Sequence, residues 1–135
     1  MTRNLLAPLR PAARALTGST YVLLGFDALR EPGGRVDQAG PVLAAIRKVA
    51  PLPEDDELIV RGNAAVMVAG GTLLALGIAP RLSALVLACS LIPTTVAGHW
   101  YWTIEDPAVR KQQRIQFHKN VAMLGGLLLA VIDEP

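Results

Sequence analysis

LIVRGNAAVMVAGGTLLALGI (Leu58–Ile78) and LSALVLACSLIPTTVAGHWY (Leu82–Tyr101), separated only by Ala79-Pro80-Arg81, decide how this chain is read. A hydrocarbon layer is about 30 Å thick and a helix rises about 1.5 Å per residue, so each run is long enough to cross a bilayer as a helix. The proline and arginine between them make a tight reversal, so the pair is a transmembrane hairpin. The acidic cluster Glu54-Asp55-Asp56-Glu57 suits the N-terminus of the first of these helices. Pro93 predicts a kink in the second.

Working outward, two further apolar stretches complete the pattern. One runs from about Ala12 to Leu29, with Pro11 in its first turn and Pro32-Gly33-Gly34 ending it; the other covers about Ile115 to Ile132. The expected fold is therefore an all-α membrane protein. It is a bundle of four transmembrane helices (about 12–29, 58–78, 82–101 and 115–132) forming one domain over residues 1–135. Between the first two spans, Gly40 to Val49 puts Val42, Leu43, Ile46 and Val49 on one side and Arg47 and Lys48 on the other. That segment is expected to be a short amphipathic helix lying on the membrane surface or capping the bundle.

Composition agrees with lipid as the solvent. Of 135 residues, 52 % are hydrophobic and only 18 % charged, and the mean hydropathy is +0.39. Aromatics make up 4 %, so the apolar content comes from Ala, Leu, Val and Gly, which let helices approach closely. The net charge of +2 arises from basic residues clustered between apolar runs, which fits loops near lipid headgroups and argues against a nucleic-acid partner. The single cysteine, Cys89, excludes an intramolecular disulfide and a CxxC pair. Arg3, Arg10 and Arg14 precede the first apolar stretch, but Asp27 interrupts it and no A-x-A cleavage site follows, so the segment is read as retained.

An internal repeat is visible. VMVAGGTLLALG (Val66–Gly77) and VAMLGGLLLAVI (Val121–Ile132) share six of twelve positions, including both GG pairs. Chance recurrence of Leu, Ala and Gly explains it as well as descent from two hairpins does. In either case Gly70/Gly71 and Gly125/Gly126, with Ala122 and Ala130, are expected to give close helix contacts.

The polar groups gather at one end. Counting along antiparallel helices puts Asp27, Arg61, Asn63, His99, Trp100, His118, Lys119 and Asn120 at one membrane face, against Arg14, Thr17, Arg81 and Asp133 at the other. A charge inside a membrane costs several kcal/mol unless paired or hydrated, so this layer is the candidate ligand-binding or partner-binding site. Expected pairs are Asp27 with Arg61, and His99 with His118 or Asn120. Asp27 and Arg61 equally fit a pair that merely closes the bundle. His99-Trp100-Tyr101-Trp102 reads either as an interfacial aromatic belt or as a headgroup-level quinone or lipid site with His99 and Asn120 as hydrogen-bond donors. A bis-histidine haem or metal site is geometrically conceivable on adjacent helices, but two histidines with no cysteine or carboxylate companion are a weak signal for one, and no metal is expected. Nine of the thirteen Lys and Arg flank the polar-face loops, so the positive-inside rule puts that face in the cytoplasm.

Pro80-Arg81, then Pro93-Thr94-Thr95-x-x-Gly98-His99, then Phe117-x-Lys119-Asn120-x-x-Met123-x-Gly125-Gly126 resemble the DoxX family of bacterial four-helix membrane proteins. Gly25-Phe26 and Gly70-Gly71-x-Leu73-Leu74-x-Leu76-Gly77 fit the same pattern, so the resemblance covers nearly the whole chain. An acidic residue that many members carry shortly before the second-helix glycine pair is absent, residues 64–69 being apolar. The Ala/Val/Leu/Arg/Gly-rich, Lys-poor composition is similar to that of actinobacterial members.

The resemblance implies a multi-pass protein of the bacterial plasma membrane. Some relatives form part of a thiosulfate:quinone oxidoreductase, and another is associated with superoxide dismutase and a thiosulfate sulfurtransferase in oxidative-stress defence. The expected function is then an accessory or scaffold subunit of a membrane-associated redox complex. Such a subunit has no cofactor of its own, quinone as a candidate ligand, and the bilayer, other membrane proteins or a second copy as partners. The alternative is a lipid- or small-solute-binding helper of an envelope transport or biogenesis complex. A standalone enzyme is the weakest reading, because His99 and His118 would have to act unaided.

Overall fold

A computed structural model of the chain describes residues 6–133, all of whose regular structure is helical. Five α-helices follow one another: α1 (Leu9–Arg30), α2 (Gly34–Arg47), α3 (Asp56–Leu76), α4 (Pro80–Gly98) and α5 (Pro107–Ile132), with a 3-10 turn at Tyr101–Thr103 before the last. Arg3 lies outside the described residues. Three segments are long and apolar enough to cross a membrane: Asp56–Leu76, Pro80–Thr103 and Pro107–Ile132. The 22-residue α1 falls short of that standard, because it carries Arg10, Arg14, Asp27 and Arg30 near its ends and Thr17, Ser19 and Thr20 in its middle.

Local chemistry sets the boundaries. Asp55 caps α3 by accepting from the Leu58 amide at 3.1 Å, with Asp56 and Glu57 in the first turn where the helix dipole favours them. At its other end Gly77 takes φ +71°, and the Ile78 amide reaches back to the Leu73 carbonyl at 2.9 Å, a glycine-closed helix end. Pro80 then opens α4, so the reversal occupies only Gly77–Ala79. The last helix begins eight residues before the expected Ile115. The Asp106 carboxylate accepts from the amides of Ala108 and Val109, and Pro107 sits at the first helical position.

The register of α1 on α3 follows from small residues. A Cβ built on Gly71 would stand 2.6 Å from the Gly18 carbonyl oxygen, and one on Gly25 would stand 2.8 Å from the Ala64 carbonyl oxygen. Seven residues forward on α1 is therefore seven back on α3, and the two helices run antiparallel in backbone contact. Next, α3 packs on α4 and α4 on α5, while α2 lies against α3 and α4. Tyr21, Leu74, Leu87 and Leu127, one from each of the four long helices, are the largest fully buried side chains of the core.

Two expectations are corrected by the packing. Gly125 and Gly126 were to pack like Gly70 and Gly71, but a Cβ on either would meet nothing within 4 Å. On α5 the inward stripe is Gln113, Phe117, Asn120, Leu124, Leu127 and Val131, at alternating three- and four-residue spacing, and residues 125 and 126 fall outside it. The second concerns the short helix, which is longer than expected and begins at Gly34. Leu43 is its buried residue, but Val49 follows the helix end and is exposed. Arg47 turns inward to bond the Asp56 carboxylate at 2.6 Å and the Pro53 carbonyl at 2.6 and 3.0 Å.

The end away from the polar layer is closed by Asp133. Its carboxylate receives Arg10 through two nitrogens at 2.9 and 3.0 Å, with Arg14 at 3.8 Å, and its carbonyl accepts from Arg81 at 2.9 Å. These bonds join the start of α1, the start of α4 and the end of α5.

Candidate functional site at the polar end of the bundle

The hydroxyls of α4 organise the polar layer. Pro93 has no amide to bond the Cys89 carbonyl, and around it Thr94 and Thr95 donate their hydroxyls one turn back, to the Ser90 carbonyl at 2.8 Å and the Leu91 carbonyl at 2.7 Å. With their hydrogens used, both oxygens are left as acceptors. Asn63 of α3 donates its side-chain amide to Thr94 Oγ1 at 3.3 Å and accepts from Ser90 Oγ at 2.7 Å. On the other flank Asn120 of α5 donates to Thr95 Oγ1 at 3.0 Å. One helix thus holds an asparagine from each neighbour. Both lie near the ends of their apolar runs, where water cannot satisfy an amide cheaply.

His99 follows the last turn of α4, and its Nδ1 lies 2.6 Å from Gln113 Oε1 on α5. An amide oxygen can only accept, so the ring donates from Nδ1 and Nε2 is left available. At the same end of the bundle stands an aromatic group. Tyr101 meets Trp102 edge-on at 5.0 Å and Phe117 at 5.5 Å, Trp102 lies 5.6 Å from Phe117, and Trp100 and Trp102 are 3.9 Å apart between ring centroids. His118 joins by its edge, 6.2 Å from Tyr101.

Antiparallel packing therefore brings His99, Trp100, His118 and Asn120 to the same end of the bundle, together with Asn63 and Arg61. The expected partners differ. Asp27 makes no ion pair with Arg61: it is exposed on the outer side of α1, beside Arg30, Glu31 and Arg35. Arg61 instead pairs with Glu57 at 2.9 Å, one turn back on its own helix, and donates to the Leu29 carbonyl at the open end of α1. Neither His118 nor Asn120 holds His99. Lys119 is exposed.

Gln113, Ser90, Thr94 and Thr95 belong to this site and are not among the candidate site residues expected from sequence, although Thr94 and Thr95 stand in the motif that carries the family resemblance. Asp106-Pro107 was the available signal for Gln113: an N-cap followed by a proline starts the last helix early and carries Gln113 opposite the end of α4. For the hydroxyls the signal was three of them clustered around a proline in an otherwise apolar run.

The DoxX family's sequence profile matches residues 10–100. The chain belongs to the DoxX family. In this DoxX protein the match takes in α1 to α4 and ends at Trp100, so α5, with Gln113 and Asn120, lies beyond it. No curated protein and no solved structure matches the chain. Family and helices together make it a multi-pass membrane protein whose surroundings are a lipid bilayer.

Proposed function

We propose that this DoxX protein is an accessory or scaffold subunit of a membrane-associated redox complex in the bacterial plasma membrane, binding a quinone-type amphiphile at its polar end. The carrying observation is His99. Gln113 fixes its tautomer, Nε2 has no hydrogen-bond partner among the described residues, and the rings of Tyr101, Trp102 and Phe117 cluster at the same end of the bundle. That set fits the reduced, quinol form of such a ring: Nε2, an acceptor in this tautomer, receives a quinol O–H, the aromatics stack or meet the ring edge-on, and the isoprenoid tail extends into lipid. Redox chemistry is supplied by the ligand and by a partner subunit, and this chain binds and orients.

In this reading the bundle has four spans. Because α1 is zipped antiparallel along α3 from Gly18 to Gly25 and buries Tyr21, it shares the depth of α3 and crosses with it. The short α2, packed on α3 and α4, then caps the polar end between the first two spans.

The test is quenching of Trp100 and Trp102, the two tryptophans of the chain, by a short-chain quinone kept reduced to the quinol and added to the protein in detergent. Saturable quenching that His99→Ala abolishes, with helix content kept, is the expected result. Non-saturable quenching, or quenching indifferent to His99, contradicts it. Mass spectrometry of what copurifies separates this reading from a lipid-handling helper of an envelope complex: quinone supports the first, phospholipid or glycolipid without quinone the second.

A further inference from the structure

Beyond the His99 end, the first two turns of α5 carry a second feature that the quinone reading does not use. Arg110, Lys111 and Arg114 line one recess with Pro107 and Tyr101. Positions 107, 110, 111 and 114 fall on one face of a helix by their three- and four-residue spacing, and Tyr101 of the 3-10 turn forms the facing wall. Among the described residues no carboxylate lines it. The nearest acidic residue along the helix, Asp106, has its carboxylate occupied by the Ala108 and Val109 amides.

The three cations differ in role. Arg110 is fixed by donating to the Ile104 carbonyl at 2.6 Å and the Glu105 carbonyl at 3.0 Å, which ties the loop to the helix. Among the described residues, Lys111 and Arg114 form no ion pair and no side-chain hydrogen bond, and both are exposed. Depth completes the description. Arg114 immediately precedes Ile115, the start of the expected fourth span, and lies about 10 Å before Val121, from which α5 is wholly apolar; Lys111 lies about 5 Å further along the axis. Trp100 and Trp102, exposed beside Tyr101, are the residue type that settles at headgroup level. Unpaired cations at headgroup depth have one anion always within reach, the lipid phosphate.

We infer that the recess between Tyr101 and the first two turns of α5 is a binding site for the headgroup of an anionic phospholipid, with Lys111 and Arg114 on the phosphate and Arg110 holding the wall in place. The bound lipid tethers α5, the helix whose apolar length is least buried against the rest of the bundle, to the anionic leaflet.

The chain carries its own reporter, since both tryptophans flank Tyr101. The full-length protein is reconstituted in phosphatidylcholine vesicles containing a minor fraction of phosphatidylglycerol, with either lipid brominated near the headgroup. Per mole, brominated phosphatidylglycerol should quench tryptophan fluorescence several-fold more than brominated phosphatidylcholine. The double variant Lys111→Gln/Arg114→Gln should equalise the two, and Lys111→Arg/Arg114→Lys should keep the preference. Equal quenching in the wild-type protein, or a preference that survives the double glutamine change, overturns the site; the wild-type arm decides even if a variant fails to fold. Excess inorganic phosphate at constant ionic strength should leave the preference intact. Its disappearance would assign the recess to a soluble anion and overturn the lipid assignment.

Discussion

Gly18 and Gly71 bring α1 and α3 into backbone contact: a Cβ placed on Gly71 would lie 2.6 Å from the Gly18 carbonyl oxygen and 3.0 Å from the Tyr21 Cβ. Backbone cannot yield as a flexible side chain can, so Gly71→Leu should force the helices apart. Overpacking of this kind costs about 1–3 kcal/mol, read as a lower melting temperature in detergent. Gly126→Leu, in the same sequence context on α5, should melt as the wild-type protein does, because nothing faces it.

Asn63 and Ser90 should be energetically coupled. A double-mutant cycle of Asn63→Ala and Ser90→Ala, followed by unfolding in detergent, should give a coupling of about 0.6 kcal/mol, the average for interhelical hydrogen bonds in membranes, and up to about 1.7. Strict additivity would mean that the 2.7 Å bond contributes nothing.

The sequence separates what depends on length from what depends on orientation. Apolar run lengths and short connections set the order of the long helices, although the last begins eight residues early, so counting residues is enough to bring His99, His118 and Asn120 to one end of the bundle. Which side of a helix a residue occupies is less legible. Gly70-Gly71 and Gly125-Gly126 share six of twelve positions in their surroundings, and the approach of α1 is what separates their roles. Asp27 and Arg61 share a depth but not a direction, since Asp27 lies on the outer side of α1 and Arg61 has Glu57 one turn back. Gln113 is hidden because the polar first half of α5 looks like loop unless the Asp106-Pro107 cap is given full weight.

Tyr21 is 1 % exposed, and its hydroxyl has no hydrogen-bond partner among the described residues. Leaving a buried donor unsatisfied costs about 1–3 kcal/mol, and Tyr21→Phe removes the donor while keeping the ring. The variant should be as stable as the wild-type protein or more so in a thermal melt. A clear loss of stability would show that the hydroxyl has a partner.

Asp27→Asn should leave stability within about 0.5 kcal/mol of wild type, as for surface substitutions that break no specific contact. Arg61→Ala should cost more, since it removes both the Glu57 pair and the donor on the Leu29 carbonyl. Equal and large losses at the two positions would restore the pairing that the structure does not contain.

Four long helices crossing one bilayer with their polar ends together underlie every one of these expectations. The most direct test is side-specific labelling, by a membrane-impermeant maleimide, of single-cysteine variants in a Cys89→Ser background: Leu6→Cys, Glu54→Cys, Ala79→Cys and Lys111→Cys. Glu54→Cys and Lys111→Cys should label from one side, and Leu6→Cys and Ala79→Cys from the other. Labelling of Leu6→Cys together with Glu54→Cys would remove α1 from the membrane, and labelling of Glu54→Cys and Lys111→Cys from opposite sides would contradict the bundle itself.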